Sequence, residues 1–340
     1  MSTKGSVSVR RKVAYGFGSV AFGVKSNGFD YFFLIFYSQV MGVSAYLVSL
    51  ALMIALMVDA LSDPLIGYLS DNTRSRWGRR HPFMYAAAIP AAVAYYFVWN
   101  PPAGLEGDAL FPYIVTIAIL VRTLITVYEI PSSSLVAEMS DDYDERTSML
   151  SYRYFFGWTG GTLMGAFATI FILVPTATVP NGMFNVEGHG QVGAIAAISI
   201  FLAIMISALG THKMIPDLKP PPPARQLSLM LIYREVFETL ASRSFLALFL
   251  AALFGAVASG VSTTLSFYFS TFFWGFSTEQ IGLISLSVVI SALMAFFISP
   301  AISRRLGKKR GAITIGLMAF TVAPAPILLR LLGQIGRAHV

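Results

Sequence analysis

Apolar runs of about 20 residues, divided by short polar stretches, recur along the chain. A bilayer-crossing helix needs about that length. The pattern predicts nine spans, at about 14–41, 46–70, 83–99, 110–138, 150–174, 192–212, 244–273, 279–300 and 311–333. The connections alternate between two kinds. One kind is basic: the N-terminal Lys4, Arg10, Arg11 and Lys12, the run Arg74–Arg80, the segment 139–149, the long loop 213–243, and Arg304–Arg310. The other kind, at 42–45, 100–109, 175–191 and 274–278, has no Lys or Arg. The exceptions among the 24 Lys and Arg are Lys25, Arg122, Arg153, Arg330 and Arg337. Basic loops stay on the cytoplasmic side, so the N-terminus is expected inside. One missed span would scramble the alternation.

Composition sharpens this picture. The chain has 340 residues, of which 56% are hydrophobic and 12% charged, against about 25% charged in a soluble domain. Mean hydropathy is +0.68. An all-α integral membrane protein is expected. There is no cysteine, which excludes disulfide and thiolate chemistry. The net charge of +7 belongs to inner loops facing anionic lipid, so no nucleic-acid partner is expected. The polar start "MSTKGSVSVRRK" leads into a long apolar segment without a cleavage site, so no signal peptide is expected.

The loops "GYLSDNTRSRWGRRHP" and "SPAISRRLGKKRG" each follow the second helix of a triplet. Spans seven to nine therefore echo spans one to three, as repeats do in transporters. On this reading three further helices are absent from the C-terminal end, and Ile335–Val340, which resembles a translated sequencing adapter, is a non-native tail. The expected organisation is a six-helix bundle (1–212), a cytoplasmic linker (213–243), a partial second bundle (244–334) and the tail (335–340). In the linker, Pro220–Pro223 is expected to be extended. Leu227–Leu240 is expected as an amphipathic helix on the inner surface.

The candidate chemistry lies where charge meets hydrocarbon. A charge at mid-bilayer costs at least about 2.5–3.5 kcal/mol, so it marks function by default. Lys25, Asp30, Asp59, Asp63, Arg122, Glu129 and Arg153 fall within spans, all in the first half. Asp59 and Asp63 are i and i+4 on one helix face, about 6 Å apart along the axis. Pro64 frees the carbonyl of Ala60. With Ser62, these groups make an oxygen-rich site for a hard cation or a proton. Neutralisation of the carboxylates by Arg153 or Lys25 is the bland alternative.

Arg122 and Glu129 share a face, either as a polar cavity wall or as a buried ion pair. Pro131 follows and bends that helix. Asp71 with Arg74, Arg76, Arg79 and Arg80 forms a charge network at the cytoplasmic helix end, a gate and a topology signal together. "SDDYDER" reads as a solvated cap rather than a metal–diphosphate site. His81, His189, His212 and His339 are placed in loops or the tail, building no ligand cluster. "GWTGGTLMG" suits close helix packing.

"YGFG" at Tyr15, "VDALSDPLIGYLSDNTRSRWGRRHPF", "YEIPSSSL" and "SYRYFF" resemble the glycoside–pentoside–hexuronide:cation symporters. These are the melibiose-permease-like branch of the major facilitator superfamily. The resemblance covers the first five spans well and the rest loosely. It implies twelve helices in two bundles, about nine of them present here, alternating access around a central site. It implies that Asp59 and Asp63 bind the coupling cation, Na⁺ or H⁺, with Thr126 as a further ligand. It places Glu129 and Arg153 at the sugar, with Arg122, Lys25, Asn27 and Asp30 as further substrate-side candidates. The family's first-helix lysine–aspartate pair aligns with Phe22 and Gly23 here, and its sugar-stacking tryptophan with Ser133.

The expected function is a cation-coupled symporter of a sugar, glycoside or small polar solute. It is expected to be a monomer in the inner membrane, without a cofactor or any metal beyond the coupling cation, and not an enzyme. Alternatives are a same-fold transporter of a lipid or other amphiphile, and a membrane-embedded transferase with aspartate-rich sites. A non-transporting sensor lacks a signalling domain. The transferase reading needs its aspartates clustered at one cytoplasmic face. Asp59 and Asp63 instead lie about 18 and 12 Å along the helix from Asp71.

Overall fold

In the first span the backbone remains right-handed at every junction while its hydrogen-bond pattern changes. Val9–Phe17 and Ser19–Asn27 are α-helical, Gly28–Phe32 is a π-turn, Phe33–Ile35 is α-helical again, and Phe36–Val40 is a second π-turn. Such π-turns relax the i→i−4 ladder without ending the helix. This is a computed structural model, and it describes residues 7–174, 176–177, 179, 182–218, 234, 238–276 and 278–333.

The second to sixth spans are Ala45–Asn72, His81–Trp99, Phe111–Met139, Tyr143–Phe167 (extended by the π-turn Ala168–Ile172) and Val186–His212. The seventh, Arg243–Tyr268, runs into the π-turn Phe269–Trp274. Among the described residues eight helices are long and apolar enough to cross a membrane, and the subdivided first span is not counted among them. No strand occurs among the described residues. Hydrocarbon leaves every backbone group to be satisfied internally, and helices do so.

The eighth and ninth spans depart from expectation. The expected basic loop between them is almost absent, because Thr278–Val322 is helical throughout except at Gly307. Gly307 has φ 72°, a left-handed conformation that glycine adopts without steric cost. Gly78, in the matching position of the first basic loop, has φ 71°. "WGRR" and "LGKK" thus turn on the same backbone device, and the internal echo extends to geometry. The Pro220–Pro223 stretch and the tail 335–340 lie outside the described residues. So does most of 227–240, where Arg234 pairs with Glu238 at 2.7 Å.

One apolar core runs through the first six spans, from Ala21 to Ala208. The third span packs on the fourth and sixth, the second on the fourth, and the first on the fifth and sixth; the eighth lies against the fifth. In the sixth span Ile200, Ile204 and Ala208 are buried while Ile198, Leu202 and Leu209 are exposed. The outer face therefore suits lipid. At one end the Val7 N–H donates to Glu145, and His81 of the third span meets Thr211 of the sixth. At the other end the Ser44 N–H donates to Asp108, and the Asn100 amide to the Gly190 carbonyl. The basic connections around 7–12, 74–80 and 139–149 share the first end. The Lys- and Arg-free ones share the second.

The first and fifth spans touch backbone to backbone. A Cβ on Gly23 would lie 1.9 Å from the Gly157 carbonyl oxygen, and one on Gly161 2.5 Å from that of Gly23. The small residues of "GWTGGTLMG" are what permit this approach. We expect Gly23→Ala to lower the thermal unfolding midpoint in detergent. Overpacking of this kind costs about 1–3 kcal/mol. Gly255→Ala, where a Cβ meets nothing within 4 Å, should leave the midpoint unchanged or raise it, because alanine favours the helix. Equal effects at both positions would contradict the packing account.

Candidate functional site

The intramembrane charges gather where the first, second, fourth and fifth spans meet. Asp59 and Asp63 stand one turn apart on the second span, with Pro64 inside the helix just beyond. Their partner is on the fourth span: the Arg122 Nε–H donates to Asp59 Oδ2 at 2.6 Å. Both side chains are largely buried, 16% and 13% exposed. Neither Arg153 nor Lys25, the partners considered from sequence, takes that place. Arg122 also does not pair with Glu129; it reaches across to the second span instead. Thr126, one turn further along the fourth span, is within interaction range of Asp63. Ser62 is turned away from the site, because its hydroxyl donates to the carbonyl of Asp59 at 3.3 Å.

Glu129 and Arg153 form the second pair. Arg153 Nη2 donates to Glu129 Oε1, and its Nη1 donates to Ser132 Oγ at 3.0 Å. The guanidinium carbon lies 5.7 Å from the Tyr15 ring centre. Such a cation over an aromatic face is a further favourable contact. Arg153 is thus gripped by the fourth and first spans and is 7% exposed, while Glu129 is 24% exposed. Ser132 and Tyr15 went unnoticed as site residues. Ser132 follows Glu129 at i+3, a spacing that could have revealed it.

Three carboxylate oxygens at this junction are buried without a hydrogen-bond partner: Asp59 Oδ1, Asp63 Oδ1 and Glu129 Oε2. Buried polar atoms are almost always bonded, so such exceptions call for a reason. They lie on two adjacent spans of one bundle.

The first-span candidates divide. Lys25 is 7% exposed and its ammonium lies 4.6 Å from the Phe22 ring centre. Among the described residues it makes no ion pair, yet Asp30, Asp59, Glu129 and Arg122 are all within its electrostatic reach. Asp30 is exposed. Asn27 turns instead toward Gly165 of the fifth span and lines a small cavity with Trp99 and His189. The structure does not bring it to the carboxylates.

At the helix ends beside the first basic loop, Arg80 ties three groups together. It pairs with Asp71, donates to Ser70 Oγ at 2.6 Å and pairs with Glu138 at 2.7 Å. Arg79 pairs with the same Glu138 oxygen at 2.9 Å. Arg74 and Arg76 point outward, exposed, with Arg76 against Trp77. Glu138, 3% exposed, is the hub that sequence reasoning missed. A carboxylate in the last turn of a span opposite an arginine-rich loop was the signal available. Asp142 of "SDDYDER" caps its helix by accepting from the Glu145 N–H at 2.7 Å.

His339 lies outside the described residues, and the other three histidines are not in loops. His81 opens the third span, His212 closes the sixth and His189 lies in the first turn of the sixth. His81 is fully buried with Nε2 3.0 Å from the Thr211 hydroxyl. His189 stacks on Trp99, ring centres 5.8 Å apart. Among the described residues no group of three or more His, Cys, Asp or Glu is placed to hold a metal.

A family model described as MFS/sugar transport protein matches residues 14–337. The chain is 34% identical over 203 residues to the uncharacterized symporter sll1374 of Synechocystis sp., covering 58% of this chain and 36% of that one. It is 28% identical over 201 residues to the inner membrane symporter YicJ of Escherichia coli, covering 59% and 42%. It is 28% identical over 154 residues to the sodium-dependent lysophosphatidylcholine symporter 1 of Mus musculus, covering 44% and 29%. The matched stretch therefore spans less than half the length of each of these relatives.

The buried hub gives a direct stability test. Removing one partner of a buried ion pair costs about 3–5 kcal/mol, because the other charge is left uncompensated. Glu138→Ala, which strands Arg79 and Arg80, should therefore destabilise the protein strongly. The side chain of Asp71 is 49% exposed, and such pairs contribute about 0–1 kcal/mol. Asp71→Ala should cost far less. Unfolding in detergent measures both, and a larger loss for Asp71→Ala would contradict this hierarchy.

Proposed function

The chain belongs to the MFS/sugar transport protein family, and from that premise we propose that it serves as a cation-coupled symporter of a sugar, glycoside or related polar solute. The observation that carries the reading is the set of three unpartnered carboxylate oxygens, on Asp59, Asp63 and Glu129. Two belong to the neighbouring carboxylates Asp59 and Asp63, beside the Thr126 hydroxyl. That is an all-oxygen donor set of the kind hard cations take, and equally a place for a proton. The third belongs to Glu129, whose other oxygen is held by Arg153. A carboxylate with one oxygen fixed and one free is suited to accept from a solute hydroxyl.

In this reading Asp59, Asp63 and Thr126 hold the coupling ion, Na⁺ or H⁺. Glu129 receives the solute, and Arg153 orients Glu129 while its remaining donors face the solute. Lys25 and Asp30 contribute to the field of the cavity. The Asp71–Arg80–Glu138–Arg79 network closes the cytoplasmic end in one conformation and opens in the other. Residues 1–212 act as one bundle, 213–243 as the linker and 244–334 as part of the second bundle. The protein works as a monomer in the inner membrane with its N-terminus in the cytoplasm. No enzymatic step is involved, since the carboxylates are sunk within spans rather than gathered at a cytoplasmic face.

A second reading, transport of an amphiphile, rests on one observation. An apolar-lined groove of about 550 Å³ runs between the fifth and eighth spans, bordered by Tyr154, Phe155, Trp158 and Phe296. A relative named for a lysophospholipid fits that groove's chemistry.

A transport panel separates the two. Labelled glycosides, pentoses and a lysophospholipid are offered to vesicles bearing the gene product, with and without a Na⁺ or pH gradient. A glycoside or pentose should accumulate with the gradient; accumulation of the lysophospholipid alone would favour the second reading. Asp59→Asn and Asp63→Asn should each abolish accumulation while downhill exchange persists. Asparagine keeps the shape but supplies no counter-charge. If both variants accumulate solute with normal ion dependence, the aspartates are structural. Arg153→Ala should lose solute binding at normal expression; disappearance from the membrane would assign it to folding instead.

A further inference from the structure

Among the described residues, Arg122 is the intramembrane cation that pairs with Asp59. We propose that Arg122 is a built-in competitor of the coupling cation: its guanidinium holds Asp59 when the site is empty and is displaced when the ion binds. The inference rests on the reading of Asp59 and Asp63 as that ion's site.

The geometry is specific. The Nε–H of Arg122 donates to Asp59 Oδ2 at 2.6 Å, between two largely buried side chains. It engages one carboxylate oxygen only. Asp59 Oδ1 and Asp63 Oδ1 stay buried and unpartnered beside it. Arginine–carboxylate pairs are frequently bidentate, and this one is not. Here it covers part of a site whose remaining oxygens are still free.

Charge balance points the same way. Asp30 is exposed, and the remaining carboxylates Asp59, Asp63 and Glu129 stand against Lys25, Arg122 and Arg153. That set is neutral with Arg122 in place, the condition that buried charges tend toward. Arg122 thus supplies the charge that an arriving cation would bring to Asp59. Arginine does not lose its proton in proteins, so Arg122 remains a charge at every working pH. It can vacate Asp59 only by moving. The consequence is a low affinity built in on purpose: an ion that must also be released cannot be held by two bare carboxylates.

The test uses the purified chain in detergent and its Arg122→Gln and Arg122→Lys variants, with folding checked by size exclusion. Modification of Asp59 and Asp63 by a hydrophobic carbodiimide, which reacts with protonated carboxyls, is read by peptide mass. The probes are Na⁺ at fixed pH, which protects, and protons in Na⁺-free buffer, which promote reaction. We expect the half-saturating concentration of the effective ion to fall at least about tenfold in Arg122→Gln, about 1.4 kcal/mol in binding. A smaller fall is expected in Arg122→Lys, which keeps the charge and so keeps a folded reference. Unchanged or higher half-saturation in both variants would overturn the proposal and make Arg122 part of the site's framework. If labelling answers to neither ion in any protein, wild type included, the cation-site reading itself fails and takes this proposal with it.

Discussion

A charge inside hydrocarbon must find a partner or a task, and the first bundle is organised around that constraint. Among the described residues of the first five spans, the three intramembrane cations each have a neighbour. Arg122 takes one oxygen of Asp59. Arg153 takes one oxygen of Glu129 and the hydroxyl of Ser132. Lys25 lies over Phe22 within the field of several carboxylates. The anions are only half satisfied. The unpartnered oxygens on Asp59, Asp63 and Glu129 are the observation on which the proposed function rests.

The arrangement depends on backbone contacts far less polar than the site. Gly23, Gly157 and Gly161 let the first and fifth spans meet backbone to backbone. That approach carries Arg153 of the fifth span to Glu129 of the fourth and to Tyr15 of the first. Leucine-sized residues on the seam would hold the spans several ångströms further apart, and the guanidinium would lose one partner or the other. At the inner end, Glu138 holds Arg79 and Arg80, and Arg80 reaches Ser70 and Asp71. Loop, second span and fourth span are thereby tied together, which is the basis for proposing this network as a gate. Site and inner network share the second and fourth spans, so a tilt of either span moves both.

Much of this was legible in the chain because hydrophobic length and charge asymmetry are local signals. The spans, their alternation and the intramembrane carboxylates needed no tertiary information. The glycine seam was visible as "GWTGGTLMG", although its partner Gly23 was not. Pairings were harder, because they depend on helix rotation. Arg122 and Glu129 share a face at seven residues' spacing, yet each bonds a different neighbouring helix. Ser62 looked like a ligand, but a serine in a helix readily bonds a carbonyl of the preceding turn. His81 and His212 read as loop residues because their helices begin and end on polar side chains buried against one another. Glu138 was overlooked for the same reason. A helix end near the interface looks solvated in sequence, and only packing shows that it is buried.

The central claim is that Asp59 and Asp63 form the site of one exchangeable monovalent cation. Counting bound ions tests it most directly. The account predicts that the purified protein takes up one ²²Na⁺ per chain or, if it is proton-coupled, one proton. It predicts that the uptake is lost in both Asp59→Asn and Asp63→Asn. Uptake that survives intact in both variants, or two ions per chain in the wild type, would contradict it.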